Sequence, residues 1–254
     1  MEKSNDKLSG LVLDYDSGFK FAPPYSNIFR LELDWKNSSL QVSLEMHYTG
    51  REDLSEEEIL DEGFTLNDDY AYKGELNSTW SRVASKQFST AKWSGKQLTD
   101  GGITVTPVEN GKVSGPKTPV DQDGWVLLAQ DIIQAIYEKN KKELPLTIHY
   151  RSVENDGVKD CSIEVRFSDR EVIFSLADKI KTVNWEYAME LMKLIFMPDY
   201  HYDIANEKPA SKRGAYIECG DGYWHELGKG VTNIDDSYDA VGKIQEKFKD
   251  LITE

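Results

Sequence analysis

Two stretches in the first fifty residues alternate hydrophobic and polar positions, which is the pattern of half-buried strands. They are Ile28–Trp35 and Leu40–Tyr48, and the polar residues Lys36–Ser39 separate them. Strands joined by such a short connection pair antiparallel, so this part of the chain predicts a β-hairpin. The apolar run Leu8–Tyr15 predicts another strand before it.

Helices are predicted in five stretches. In four of them apolar residues recur every three or four positions, and in the other Ser55 and Glu58 form a capping-box pattern. Asn184 is the expected N-cap of the fourth helix, and Pro198 stops it. The five predicted helices cover Ser55–Glu62, Trp80–Ala91, Trp125–Tyr137, Trp185–Ile195 and Val241–Leu251.

The order of elements recurs after Pro145. Glycine-containing turns mark hairpins in both halves. The further predicted strands are Ile103–Thr106, Leu146–Tyr150, Cys161–Phe167, Glu171–Phe174 and Ala215–Glu218, and the turns are Asn110-Gly111, Asn155–Gly157 and Asp221-Gly222. Each half therefore consists of a hairpin, a helix, a short hairpin and a second helix.

This order predicts an α+β fold with two similar lobes, each made of antiparallel β-hairpins with packed helices. The lobes are expected at residues 1–143 and 144–254. Gly102 and Gly214 lie at matching positions, as do Ile132 and Ile244. These landmarks favour an internal duplication in which residues 28–143 superpose on 146–254, with residues 51–70 as an excursion. Chance agreement is the alternative.

The helix Ala129–Asn140, the basic-tailed strand Leu146–Ser152 and the turn Asp156-Gly157 resemble the opening of a WYL domain. That resemblance implies a small ligand-sensing β-barrel of the kind found in bacterial regulators. The chain departs from the family pattern because the Trp-Tyr-Leu that gives the family its name is missing. Tyr223-Trp224-His225 has a different order and lies far downstream.

Composition predicts a soluble, cytoplasmic protein. Hydrophobic residues make up 39% of the 254 residues and charged residues 30%, which is ordinary for a globular chain. The start, MEKSNDKLSG, is too polar for a signal peptide, and no run is long enough to span a membrane. Cys161 and Cys219 are far apart in sequence, so we expect free thiols, and we expect no cofactor.

The distribution of charge along the chain suggests one kind of partner. The net charge is −15, and residues 51–70 contain nine acids against the single base Arg51. One hypothesis is a surface for a basic partner, as in an inhibitor or a nucleic-acid mimic; the alternative is a solvated loop and short helix. The acidic balance argues against binding nucleic acid through its phosphates, which requires clustered lysine and arginine.

Phosphate-loop, dinucleotide-binding and zinc-protease signatures are absent from the sequence. The first candidate site is Asp199-Tyr200-His201-Tyr202-Asp203. In an extended strand Asp199, His201 and Asp203 would share one face, where two carboxylates and an imidazole bind a divalent metal, and Glu207 is close enough in sequence to join them. The alternative is a loop that follows a proline-ended helix.

Aromatic residues provide the second candidate site. Tyr200 and Tyr202 follow a helix, and Tyr223, Trp224 and His225 follow a glycine-rich turn. Tyrosine and tryptophan suit pocket walls and interface cores, so these five residues are predicted to border one ligand-binding cleft. The alternative is that they fill the core of the second lobe. His47 and His149 form a third candidate, a pair near strand ends in matching hairpins.

Three functions remain after these considerations. The leading hypothesis is a non-catalytic binding protein with an unidentified small-molecule or protein partner. The alternatives are a metal-dependent hydrolase that uses Asp199, His201 and Asp203, and an acidic inhibitor or mimic that acts on a basic partner through residues 51–70.

Overall fold

The computed structural model describes residues 8–155 and 157–253. The chain divides into two compact units between Lys142 and Glu143. We call them the N-terminal unit and the C-terminal unit. No described helix has the length and apolar character that crossing a membrane requires. The polar start over residues 1–7, position 156 of the predicted turn and residue 254 lie outside the described residues.

The N-terminal unit contains eight strands and three α-helices among its described residues. The strands are β1 (Leu8–Asp16), β2 (Asn27–Trp35), β3 (Ser39–Tyr48), β4 (Tyr70–Asn77), β5 (Trp93–Ser94), β6 (Gly102–Glu109), β7 (Lys112–Val113) and β8 (Thr118–Pro119). The helices are α1 (Glu56–Asp61), α2 (Thr79–Thr90) and α3 (Gln122–Lys139).

The C-terminal unit contains eight further strands and two α-helices among its described residues. The strands are β9 (Leu146–Glu154), β10 (Gly157–Arg166), β11 (Glu171–Leu176), β12 (Lys179–Val183), β13 (Asp199–Tyr200), β14 (Gly214–Glu218), β15 (His225–Glu226) and β16 (Val231–Thr232). The helices are α4 (Trp185–Ile195) and α5 (Ala240–Thr253).

Both units have the same topology. The six-stranded sheet of the N-terminal unit has the order β4-β3-β2-β1-β6-β7, and that of the C-terminal unit has the order β12-β11-β10-β9-β14-β15. Each unit also has a two-stranded pair, β5-β8 or β13-β16, in the corresponding place along the chain. The predicted α+β class with two similar lobes of antiparallel strands is therefore confirmed.

Alternation along the strands produces the core of each unit. Leu31 of β2 lies opposite Leu13 of β1 and Leu44 of β3, and all three are fully buried. In the C-terminal unit Cys161 occupies the place of Leu31 and lies opposite Tyr150 of β9. The helices cover this apolar face. The Tyr150 ring stacks on Phe248 of α5, with ring centroids 4.3 Å apart.

The predicted superposition was displaced by one strand. The hairpin Ile28–Tyr48 corresponds to β2 and β3, whose topological counterparts are β10 and β11; the counterpart of β9 is β1. The displacement arose because the predicted repeat began at residue 28 and left out the strand Leu8–Tyr15, which is β1. The landmarks themselves match: Gly102 and Gly214 open β6 and β14 with positive φ angles of 120° and 155°.

The fold also bears on two other predictions. Residues 51–69 form the expected excursion, because they lie between β3 and β4, whereas β11 and β12 are separated by only Ala177 and Asp178; Tyr70 is the first residue of β4. The WYL-like segment does not form the start of one barrel. Its helix belongs to the N-terminal unit and its strand to the C-terminal unit, in a sheet whose outer strands are β12 and β15.

Candidate functional site

The acidic segment, residues 51–70, is fixed to the N-terminal unit by Arg51. The Arg51 side chain is only 11% exposed, and its Nη1 atom lies 2.7 Å from the Asp68 carboxylate. Arg51 also donates hydrogen bonds to the backbone carbonyls of Pro24, at 3.0 Å, and Thr65, at 3.2 Å. One guanidinium thus holds both ends of the segment and the loop before β2 together.

Asp68 is ionised in this environment. Burial raises the pKa of its carboxyl, but the hydrogen bonds from Arg51 and Thr65 outweigh burial, so the pKa lies below its ordinary value. Further along the chain, Ser55 and Glu58 form the predicted capping box at the start of α1. The acidic segment is therefore an ordered part of the unit.

Aromatic rings lie beneath this segment. Phe64 packs edge-on against Tyr25 and Tyr48, with ring centroids 5.1 Å and 5.5 Å away. The hydroxyl group of Tyr25 donates a hydrogen bond to the Glu62 carboxylate. The rings of Tyr15 and Phe29 stack on each other, with ring centroids 4.9 Å apart. The acidic segment thus supplies both a ring and a carboxylate to an aromatic cluster.

A cavity of about 390 Å³ opens beside this cluster. Strand ends, the loop before β2, the acidic segment and helix α3 all contribute to its wall. We call it the aromatic pocket; its lining residues are Tyr15, Phe21, Tyr25, Asn27, Phe29, Met46, Tyr48, Phe64, Gln130, Ile133, Gln134 and Tyr137. Phe21 and Tyr25 are 52% and 46% exposed, so part of the aromatic surface is open to a ligand.

The C-terminal unit has a cavity in the equivalent place. We call it the polar groove; it measures about 910 Å³ and lies between the end of β9 and helix α5. Aligning Gly102 with Gly214 and Ile132 with Ile244 defines the equivalent positions in the two units. Tyr15, Phe29, Ile133 and Tyr137 of the aromatic pocket then correspond to Ser152, Lys159, Gln245 and Lys249, all of which line the polar groove.

This correspondence shows whether the fold itself requires the residues that line the aromatic pocket. The C-terminal unit forms the same sheet and helices with polar or charged residues at these positions. Phe29 and Ile133 are nevertheless buried in the core of the N-terminal unit, whereas Tyr15 and Tyr137 are only partly buried. Aromatic surface of this second kind, which the topology does not require, is a sign of a binding surface.

Four of the five predicted cleft residues have rings in contact with one another in the C-terminal unit. The His225 ring lies edge-on to Tyr200 and Tyr202, with centroids 5.1 Å and 4.9 Å away, and Tyr202 contacts Tyr223 at 6.0 Å. Trp224 is turned toward the His149 ring, 6.3 Å away. Tyr202 and Tyr223 are exposed, whereas His225 is buried. Ligand binding at this cluster stays a prediction.

His225 is the unusual member of this cluster. Its side chain is 1% exposed, and neither ring nitrogen has a hydrogen-bond partner of normal geometry. Burial lowers the pKa of His225 below its ordinary value, a shift that the nearby Asp221 carboxylate opposes. His225 is therefore a neutral imidazole packed between tyrosine rings. The Tyr200 hydroxyl beside it donates to the backbone carbonyl of Ile195 at 2.8 Å.

The predicted metal group is not assembled as an extended strand requires. β13 ends at Tyr200, and a 3₁₀ turn over Tyr202–Ile204 takes Asp203 off the face of Asp199. His201 Nε2 lies 2.9 Å from the hydroxyl of Thr232. Among the described residues, no three His, Cys, Asp or Glu side chains are close enough together to hold a metal ion.

His47 and His149 do not occupy equivalent strands, because β3 corresponds to β11 and not to β9. His47 Nδ1 lies 2.7 Å from the carboxylate of Asp69, and His149 lies 3.8 Å from that of Glu218. The two thiols are free, and burial raises the pKa of Cys161 to about 12 and that of Cys219 to about 11. Neither thiol is activated as a nucleophile.

Sequence reasoning missed the aromatic pocket. The part of its wall that helix α3 provides could have been predicted from the sequence. Its four lining residues follow the spacing of one helix face: Gln130, Ile133, Gln134 and Tyr137. The rest comes from separate elements that only the fold brings together. Comparisons with protein-family models, with curated proteins and with solved structures find no significant match to the chain. The geometry of these sites is therefore the basis for inferring function.

Proposed function

We propose that this chain is a non-catalytic binding protein that recognises a basic surface of a partner protein. The aromatic pocket receives a side chain of the partner, and the acidic segment at its rim attracts the surrounding positive charge. An inhibitor or mimic of a nucleic-acid-binding protein is one form that such binding takes. The single observation that supports this proposal is the contact of Phe64 and Glu62, both in the acidic segment, with Tyr25 in the pocket wall.

The charge distribution supports a basic partner. Residues 1–142 contain 16 Lys and Arg against 23 Asp and Glu, a net charge of −7. The acidic segment alone contributes nine acids and one base, a net charge of −8. The remainder of that part of the chain is therefore close to neutral, so the negative charge is concentrated in the acidic segment, whose Phe64 lines the pocket. Concentrated charge of one sign speeds the encounter with a partner of the opposite sign.

We also infer that the two units descend from a duplicated ancestor and have since diverged in this pocket. The shared strand order and the matching glycine and core positions support this inference. The acidic segment is present in only one copy, which fits an insertion that gave the N-terminal unit its own binding role. A reducing, cytoplasmic location suits the two free thiols.

The test uses fluorescein-labelled peptides and the full chain. A lysine- and arginine-rich peptide should bind, binding should weaken as NaCl is raised, and a peptide of the same length rich in glutamate should not bind. Replacing residues 52–67 by a two-residue turn like that between β11 and β12 should weaken binding by about tenfold or more, which corresponds to about 1.4 kcal/mol. Fluorescence anisotropy measures each affinity.

A second variant tests the pocket without touching the acidic segment. Tyr137→Lys installs the residue that the C-terminal unit carries at this position, and Tyr137 is only partly buried, so the fold should tolerate it. It should weaken binding of the basic peptide as well. Leu127→Lys, an exposed change on the same helix outside the pocket lining, is the matched control. Equal binding of acidic and basic peptides, or unchanged binding by both variants, would contradict the proposal.

A further inference from the structure

Phe64 is shared by two clusters, each made of a second aromatic ring and a carboxylate. In the first, the second ring is Tyr48 and the carboxylate is Asp68. The guanidinium of Arg51 lies over the Tyr48 and Phe64 rings, 4.1 Å and 4.6 Å from their centroids, and is paired with Asp68. This cluster shows how the rings of this unit hold an arginine.

In the second cluster the ring is Tyr25 and the carboxylate is Glu62. Tyr25 is 46% exposed and lines the aromatic pocket together with Phe64. In the part of the chain that the structure describes, the arginine and lysine side chains that lie over rings of this pocket include no partner for Tyr25. The second cluster has the same composition as the first, and it opens onto the cavity.

The chemistry of this open cluster favours a cation. An aromatic face attracts a positive charge that lies over it, and the attraction increases where water is excluded. The Glu62 carboxylate, which also accepts the Tyr25 hydrogen bond, has lone pairs left for a second donor. The Glu62 carboxylate also acts electrostatically on Tyr25, since the hydrogen bond to Glu62 raises the pKa of Tyr25. The acidic rim adds to the same potential.

Arginine suits the cluster better than lysine. A guanidinium is planar, stacks on an aromatic face and pairs with a carboxylate through two parallel hydrogen bonds, whereas an ammonium is a compact and strongly hydrated charge. We propose that the aromatic pocket takes the guanidinium of an arginine of the partner protein, stacked on Tyr25 and paired with Glu62. This inference rests on the proposed function, because it names the side chain that the proposed pocket receives.

The test is a nuclear magnetic resonance titration of the full chain with N-acetyl-arginine N-methylamide. Backbone amide signals of residues 25, 62 and 64 should shift and saturate. The citrulline analogue replaces the charged guanidinium by a neutral urea of nearly the same shape, so it should bind about tenfold more weakly or worse. The lysine analogue should also bind more weakly than the arginine one.

Matched variants locate the interaction. Glu62→Gln removes the carboxylate that accepts the Tyr25 hydrogen bond and should lower the affinity for the arginine derivative severalfold. Glu56→Gln makes the same change at an exposed acid of α1 that does not accept this hydrogen bond, and should leave the affinity nearly unchanged. Equal loss in both variants would show that only the overall charge matters, and it would overturn the inference.

The remaining outcomes separate this inference from the proposed function. If the citrulline or lysine analogue binds as tightly as the arginine derivative while the basic peptide still requires the acidic segment, the arginine site is wrong and the proposed function stands. If neither the arginine derivative nor the basic peptide binds, both are wrong.

Discussion

Arg51 shows how one residue organises the candidate site. Its guanidinium contacts a carboxylate, two backbone carbonyls and two aromatic faces at once. A lysine cannot make this set of contacts, because an ammonium has neither the planar shape nor the fork of donors. The acidic segment, with its strong self-repulsion, is therefore held in place by its single base.

Replacing Arg51 by lysine should lower the free energy of unfolding by about 1–2 kcal/mol, since hydrogen bonds to charged groups and stacking are lost while the charge remains. It should also weaken binding of the basic peptide, because Phe64 is no longer held against Tyr25. Urea denaturation gives the stability. Arg30→Lys, at a site with a side chain 49% exposed, is the control and should change little. Equal effects of both substitutions would contradict this role of Arg51.

His225 makes a separate prediction about pH. Its pKa in the folded protein lies below the ordinary value of 6.5, mainly because burial disfavours the charged ring. The unfolded chain therefore binds more protons than the folded one as the pH falls below about 6.5, and stability is lost in that direction. The nearby Asp221 carboxylate opposes this effect. The carboxylates with lowered pKa values, such as Asp68 and Asp239, act in a lower pH range.

Thermal unfolding at a series of pH values from 8 to 5 checks this prediction. His225→Phe removes the titrating group and keeps a ring of similar shape in the same packing, so it should flatten the loss of stability between pH 7 and 5. At pH 7 its stability should be close to that of the unaltered protein. The control is His47→Gln, at an exposed histidine. An unchanged pH profile in His225→Phe would show that other groups cause the loss.

At the scale of elements, hydrophobic alternation predicted the strands that are buried on one face and missed those at the sheet edges. In β4 only Leu76 is buried, and in β12 none of the five residues is. An edge strand has a partner on one side only and needs little apolar surface, so the pattern in its sequence is weak. The predicted repeat was displaced by one strand for a different reason: it began at residue 28 and left out β1, although its landmarks were correct.

The candidate site was less predictable than the fold for a related reason. The tyrosine and histidine cluster at residues 200–225 could be found because its members are dense in sequence, and the structure does bring them into contact. The aromatic pocket takes its residues from six separate parts of the chain. Its acidic rim was visible in the sequence as charge, but the contact of that rim with Tyr25 depends on tertiary structure.

At the scale of the molecule, one scaffold is used twice with different surfaces. The sheet order and the buried positions are shared, whereas the cavity beside α3 is aromatic and the cavity beside α5 is polar. Packing determines the shared features, because core positions tolerate few side chains. Residues that line a cavity are less constrained by packing, so they differ between the two units.

If each unit is a complete copy of this scaffold, the C-terminal unit should fold without the other. A fragment of residues 143–254 has its own sheet, two helices and a core that includes Tyr150, Ile217, Ile244 and Phe248. At this size a single core suffices for a stable domain. The fragment should give dispersed amide resonances and one cooperative urea transition.

Phe248→Ala in the same fragment should lower the free energy of unfolding by about 3–5 kcal/mol and unfold much of the fragment, because Phe248 is fully buried against Tyr150. A fragment without cooperative unfolding, under conditions in which the full chain is folded, would mean that the units depend on each other and that the shared topology does not reflect two autonomous copies.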